Sequence, residues 1–419
     1  MEDQLKFEFG FGNGTQEVYI PQNNLLGAIL PNPISIPKDA DVVRNALKSP
    51  IGTARLREIV RPGEKIAIIT SDITRPMPTA LVMPAILEEL KAAAVNLADV
   101  TLVFGLGSHR KQTRSEMEKL AGPDILKQIR AVDSDPEDCI RMGVTSRGTP
   151  VDITRTVASA DRRICLGNIE YHYFAGYSGG AKAIMPGVST REAIQCNHRH
   201  MVNPLACAGE IGSNPVRADI EEAGKICGID FILNVVLDEH KKIVQAVAGD
   251  PIEAHRVGAK FLDQLYMKEI SQQADIVIVS QGGAPKDINL YQTQKALDNA
   301  KYAVKKGGTI ILIGSCKEGL GEKVFEEWMT EAACPQEMVE RIGRDFQLGG
   351  HKAAAIGMVL ENADILLVSE LEPDLVQNIF LKPYSNAQQA FRDSLAKHGP
   401  NAKVWVIPYG GSVLPRFIG

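Results

Sequence analysis

From Lys65 onward the apolar positions fall into two alternating regimes, short β-branched runs and longer stretches with helical spacing. KIAIITS (65–71) is followed by a polar loop, SDITRPMP, and by the amphipathic TALVMPAILEELKAAA (79–94). DVTLVFG, GLGSHRKQT and SEMEKLAG repeat the order strand, loop, helix. TPVDIT and RRICLGN (162–168) add strands, TREAIQCNHRHM (190–201) reads as a helix capped by Thr190, and NPVRADIEEAGKICG reads as a second helix. Two strands, DFILNVVLD and KIVQAVAG, precede a long helix, DPIEAHRVGAKFLDQLY, whose start is marked by Asp250 and Pro251. A second series begins near residue 274 with ADIVIVSQ, a helix within GGAPKDINLYQTQKALDNAKYAVK, and GGTIILIGS. EKVFEEWMTEA and HKAAAIGMVLEN continue it as helices, ADILLVS and KVWVIP as strands. The first sixty residues, with a Pro-rich passage (PNPISIPKD) and a short helix (DVVRNALKSP), read as packing.

Strands alternating with helices predict an α/β fold with parallel or mixed sheets. At 419 residues the chain exceeds a single core, so two α/β domains are expected. We place the first at 1–270, with the tail 398–419 returning to it, the second at 274–396, and the active site in the cleft between them. In open α/β sheets ligands sit beyond the carboxyl ends of strands. Asp72, Thr74, Arg75 and His109 fall in such loops.

Composition narrows the classes. A formal net charge of -5 without a basic block argues against a nucleic-acid partner. No apolar run is long enough to span a membrane and no signal peptide is seen, so small molecules are the expected partners. Seven scattered cysteines without a CxxC pair fit a reducing cytoplasm.

The candidate chemistry concentrates between Leu166 and Met201. Lys182, in SGGAK, can approach an electrophile closely because its glycine neighbours carry no side chain, and desolvation would make it a nucleophile; a mobile surface lysine reads the same. His198 and His200 form an HxH on a predicted helix, where the rings point about 200° apart and cannot share one metal unless the helix has ended. A single imidazole holds a bare ion poorly, so a metal here needs ligands from elsewhere. His109 and His172 follow strands in glycine-containing loops and suit general acid/base work. Two bases across a substrate suit a racemase, which handles a stereocentre from both faces. The Arg75 fork can bind a carboxylate and Lys295 can add a point charge, with Gln292 three residues earlier on the same helical face. His240, His255, His351 and His398 read as structural.

Taken together, SDITRPMP, GLGSHRKQT, YHYFAGYSGGAKAIMPGVSTR with NHRHM, and PKDINLYQTQKALDNA, with FQLGGHKA beyond, resemble the nickel-dependent lactate racemase family. The motifs lie in the family's order from about residue 65 to 300. The resemblance implies a nickel-pincer nucleotide (pyridinium-3-thioamide-5-thiocarboxylic acid mononucleotide) joined through its thioamide to Lys182. It implies that nickel is held by two sulfurs and a carbon of that cofactor plus His198, and that His109 and His172 are the paired bases. It further implies substrate contacts at Arg75, Gln292 and Lys295 and a cofactor contact at Asp72; no role carries over to His200 or His351. The implied reaction racemises or epimerises a 2-hydroxy acid by proton-coupled hydride transfer through a 2-keto acid, in protein loaded by cofactor-maturation partners. Removing hydride leaves a neutral ketone, whereas removing the Cα proton would build a carbanion beside a carboxylate. The family's members act on lactate and on larger or sugar-derived 2-hydroxy acids, and no residue between Asp72 and Lys295 distinguishes these. A pyridoxal-phosphate enzyme using Lys182 and a non-catalytic nickel or nucleotide carrier are the competing readings.

Overall fold

The computed structural model describes residues 4–33, 41–238 and 240–419; of the Pro-rich passage predicted at 31–39 only Pro31–Pro33 fall among them, and the rest lies outside the described residues. The chain forms two compact units, residues 34–264 and residues 1–33 with 265–419.

The unit 34–264 is built on a six-stranded sheet ordered Ile243–Gly249, Phe231–Leu237, Arg162–Asn168, Ile66–Ser71, Val100–Gly105, Arg130–Asp133. All neighbours are parallel except the Ile243–Gly249 edge, which pairs antiparallel with Phe231–Leu237. Numbered along the chain this is the doubly wound order 3-2-1-4-5-6, with its switch point between Ile66–Ser71 and Arg162–Asn168. The central strands lack polar alternation because both faces are covered, and Ile66, Ala67, Ile68 and Ile69 are each essentially inaccessible. Helix Thr79–Ala92 buries Val82, Met83, Ile86, Leu87 and Leu90 against them, one stripe at helical spacing. The predicted helix after Thr190 is real but short. It spans Arg191–His198, with Thr190 accepting from Ala193 N, and gives way to a 3-10 turn at Arg199–Val202. His198 therefore closes the helix and His200 lies beyond it.

The second unit carries an all-parallel sheet ordered Lys382–Tyr384, Ala363–Val368, Val304–Ile313, Ala274–Ser280, Val404–Ile407, Leu25–Ala28. The boundaries expected from sequence differ from this division at both ends. The opening residues form an antiparallel hairpin, Gln4–Phe11 with Gly14–Pro21, whose Phe9, Val18 and Ile20 join the core of Ile276, Ile278, Ile311 and Val406. The tail strand Leu414–Phe417 pairs with Met267–Ile270, so both chain ends belong to this unit, where the sequence had placed them with the other. Non-local pairing decides this, and no local periodicity reports it. The strand Cys139–Val144 and the helices Pro335–Arg344 and Ala387–His398 were also missed.

Candidate active site

Three loops leave the sheet of unit 34–264 at its carboxyl edge: Asp72–Arg75 after Ile66–Ser71, Leu106–His109 after Val100–Gly105, and Ile169–His172 after Arg162–Asn168. They flank the switch point, where such sheets take ligands. In the first two, Asp72 is buried and its carboxylate accepts from His109 Nδ1 at 2.7 Å and from Thr74 Oγ1 at 2.8 Å. Burial pushes the Asp72 pKa up, but the His109 and Thr74 hydrogen bonds and the charges of His109 and Arg75 outweigh it, and the group is held below the usual carboxylate value. As an ionised acceptor, Asp72 requires the proton of His109 on Nδ1, which leaves the lone pair at Nε2. The expected cofactor contact, Asp72, is thus the orienting partner of His109 in this structure.

The third loop turns back as a two-residue hairpin, Tyr171–His172 against Gly176–Tyr177. It is tied to helix Glu253–Tyr266 through Asp263, which accepts from both the Tyr171 and Tyr177 hydroxyls, at 2.9 and 2.8 Å. Ala175 N donates to His172 Nδ1 at 3.3 Å, which leaves the ring proton of a neutral His172 on Nε2. The two histidines are therefore unlike: His109 offers a lone pair and His172 an N–H.

Lys182 follows in a single 3-10 turn, Gly180–Ala183. That turn is seated by Asn234 Oδ1, which accepts from Gly180 N at 2.7 Å, and by His255 Nε2, 2.8 Å from the Ser178 carbonyl. Gly179 enters it at φ +75°, where a Cβ would stand 2.7 Å from Asn234 Oδ1. From the other side Gly107 N donates to Gly187 O at 2.8 Å, drawing the His109 loop onto the lysine segment.

One buried ring gathers the site. Phe174 lies edge-on to His172 at 4.5 Å and to His198 at 4.8 Å between centroids, with the Lys182 ammonium 5.9 Å from its centre. Burial, then the Lys182, Arg75, His198 and Arg217 charges, hold the His172 pKa well below the usual histidine value. Burial, then Arg217 and Arg75, hold the Lys182 pKa well below that of a free lysine. Both residues are partly buried, with the rest of their surface open. Lys182 makes no salt bridge among the described residues. Arg217, fully buried, donates to the Ala175 and Tyr177 carbonyls, and its Nη1 has no hydrogen-bond partner among the described residues.

The residues fit a tethered metal-bearing group. Among the described residues no three His, Cys, Asp or Glu side chains come together as a metal cage, so an ion here needs donors that the protein does not supply. His198 is buried, and its Nδ1 lies 2.9 Å from Asn197 Oδ1, which places the lone pair on Nε2, as metal ligation requires. A partly buried amine with a lowered pKa is suited to covalent attachment.

Gln292 and Lys295 lie in the other unit on helix Leu290–Ala300, whose first turn is capped by Asn289; Gln292 is partly buried and Lys295 exposed. His200 is half-buried, burial lowers its pKa, and its Nε2 has no hydrogen-bond partner among the described residues. His351 accepts from Gly349 N and His398 pairs with Thr309, while His255 supports the lysine turn. Sequence reasoning missed Phe174, Asn197, Arg217, Asn234 and Asp263. Within helices and strands their types carry no periodic signal; only Phe174, inside the YHYFAGY run, sat beside residues already chosen.

Residues 11–209 match the family model of the lactate racemase N-terminal domain and 270–415 that of the lactate racemase C-terminal domain. The lactate racemase of Thermoanaerobacterium thermosaccharolyticum is 34% identical over 388 residues, 90% of this chain and 91% of that protein. The lactate racemase of Lactiplantibacillus plantarum is 33% identical over 392 residues, 90% and 91% of the respective chains. The structure of the T. thermosaccharolyticum lactate racemase apoprotein superposes with a TM-score of 0.91 at 32% identity, covering 98% of this chain and all of that one. A Thermotoga maritima protein, at 19% identity and TM-score 0.63 over 90% of this chain and 97% of its own, shares the fold.

Proposed function

The chain belongs to the lactate racemase family, a family of isomerases, and on that premise we propose that it interconverts the enantiomers of a small 2-hydroxy acid, lactate first among them. The observation that carries this reading is the gathering around one buried ring, Phe174, of an acid/base histidine, a metal-competent histidine and a partly buried amine.

His109 accepts the substrate hydroxyl proton at Nε2, and the Asp72 carboxylate against Nδ1 stabilises the imidazolium so formed. His172 directs its Nε2–H at the substrate oxygen as a hydrogen-bond donor. To act as the base for the opposite enantiomer its proton moves to Nδ1, giving up the 3.3 Å bond from Ala175 N and freeing the Nε2 lone pair to take the hydroxyl proton. The exposed Arg75 fork takes the carboxylate and fixes which face of Cα is presented. Lys182 would hold a nickel-pincer nucleotide and His198 would complete its nickel, and the group would supply a hydride acceptor and donor for Cα of the substrate. The Lys182 amine, whose lowered pKa favours the nucleophilic form, would make the tether, with the Phe174 ring beside it. The site is completed by maturation proteins in the cytoplasm; no helix among the described residues is long and apolar enough to cross a membrane.

The test uses protein produced together with its maturation partners. Enantiopure lactate should lose optical activity, and mass spectrometry should find a nickel- and sulfur-containing nucleotide adduct on Lys182. His109→Ala and His172→Ala should each lower kcat by about 10²–10⁴ while keeping the adduct, and Lys182→Ala should lose it. Loaded protein that leaves lactate and a panel of larger 2-hydroxy acids unchanged would sink the proposal.

A further inference from the structure

The side chains behind His198 form a directed chain of hydrogen bonds that ends on a buried carboxylate. Asn197, fully buried, uses both amide protons: Nδ2 donates to Asp219 Oδ2 at 2.7 Å and to the Val216 carbonyl at 3.3 Å. Its Oδ1 is left facing His198 Nδ1 at 2.9 Å. An amide oxygen carries no proton, so the ring nitrogen must donate. With the amide reversed, its oxygen would face the Asp219 carboxylate and the Val216 carbonyl with no proton between them, and its NH2 would face the ring. The reversed amide oxygen would then be left buried without a hydrogen-bond partner.

Asp219 is itself pinned. It is fully buried on helix Pro215–Cys227, with Oδ1 accepting from Thr145 Oγ1 and Oδ2 from Thr149 Oγ1 at 2.7 Å as well as from Asn197. Thr149 N donates to Thr145 Oγ1 at 3.1 Å, so the Thr145 hydroxyl proton is left for the carboxylate. Every group on Asp219 is a donor, and the polarity of the chain is fixed from the carboxylate to the ring. Thr145, Thr149 and Asp219 lie 49 or more residues before and 21 after His198 in sequence, so local structure alone does not bring them there.

We infer that Asn197 and Asp219 are positioning residues that hold His198 in its Nδ1–H tautomer, so that the nitrogen offered to a metal is Nε2. The inference rests on the reading of His198 as the nickel ligand. Asn197 sets the tautomer and ring angle, and the Asp219 charge sets the orientation of Asn197. Support of this kind behind a metal-binding imidazole is worth about 10–100-fold in metal affinity.

The experiment has two readouts besides activity. Long-range proton–nitrogen correlation spectra of histidine-labelled apoprotein, with His198 assigned by its loss in His198→Gln, should show Nδ1 protonated and Nε2 bare in the wild type. In Asn197→Leu the preference should be lost. Loaded Asn197→Leu should keep the Lys182 adduct but release nickel to a chelator about 10–100-fold more readily than wild type. A wild-type spectrum with the proton on Nε2 overturns the inference without any variant having to fold. Unchanged tautomer and nickel retention in Asn197→Leu overturn it as well. Nickel held by loaded His198→Ala as firmly as by wild type overturns instead the ligand reading beneath it, so the two failures are separable.

Discussion

Lys182 shows how one residue's function and its cost to the fold are connected. An amine with no ion pair among the described residues, crowded by protein and beside the Arg217 and Arg75 charges, is harder to protonate in the native state than in the unfolded chain, which protonates it below about pH 10.5. The unfolded state then binds more protons at neutral pH, and stability rises with pH through the window below the ordinary lysine value. Lys182→Met should therefore raise the stability of the apoprotein by about 1 kcal/mol at pH 7, with the difference from wild type narrowing as the pH approaches 10.5. Denaturant melts at several pH values check this, and a less stable variant at pH 7 would contradict it. SGGAK marked the lysine in the sequence because glycines beside a lysine are a local signal. Its lowered pKa was not legible, because Arg217, 35 residues later in the sequence, contributes to the field that lowers it.

At the scale of elements, the turn Gly180–Ala183 is held by contacts its own sequence does not contain. Gly179 has φ +75° and ψ -173°, a region open in practice only to glycine, and its missing Cβ is the space occupied by Asn234 Oδ1 and Ile169. Gly179→Ala should destabilise the protein by roughly 2–4 kcal/mol and displace the Gly180 N–H from Asn234, which thermal melts and loss of the Lys182 adduct would both register. A variant that melts and loads like wild type would mean the turn is not seated by this contact. The strand–loop–helix units were legible because burial on both faces leaves continuous β-branched runs, and burial on one face leaves a helical stripe. The end of the helix at His198 was not legible. HxH resolves into one ring at the helix terminus and one in the following turn, which separates His198 from His200 as chemistry required.

Across the whole molecule, the chain begins in one compact unit, builds the other between residues 34 and 264, and returns. Phe9, Val18 and Ile20 of the opening hairpin are inaccessible members of the core of the unit that also holds residues 265–419. Removing residues 1–21 should expose that core. Limited proteolysis should then cut faster within 265–419 than within 34–264, and equal resistance in both would show that the hairpin is dispensable.

The sequence by itself determined the α/β class, the strand–loop–helix units from Lys65 through the lysine segment, the family, and the identities of Lys182, His109, His172 and His198 as the residues to watch, because each rests on a local pattern of spacing or chemistry. Tertiary structure alone decided that Asp72 orients His109, that Phe174 joins two histidines and the lysine, that Asn197 and Asp219 stand behind His198, and that the chain ends lie in one unit. These are pairings between residues far apart along the chain, set by which surfaces can be buried together and which buried polar atoms must find partners. A local pattern carries no record of either condition.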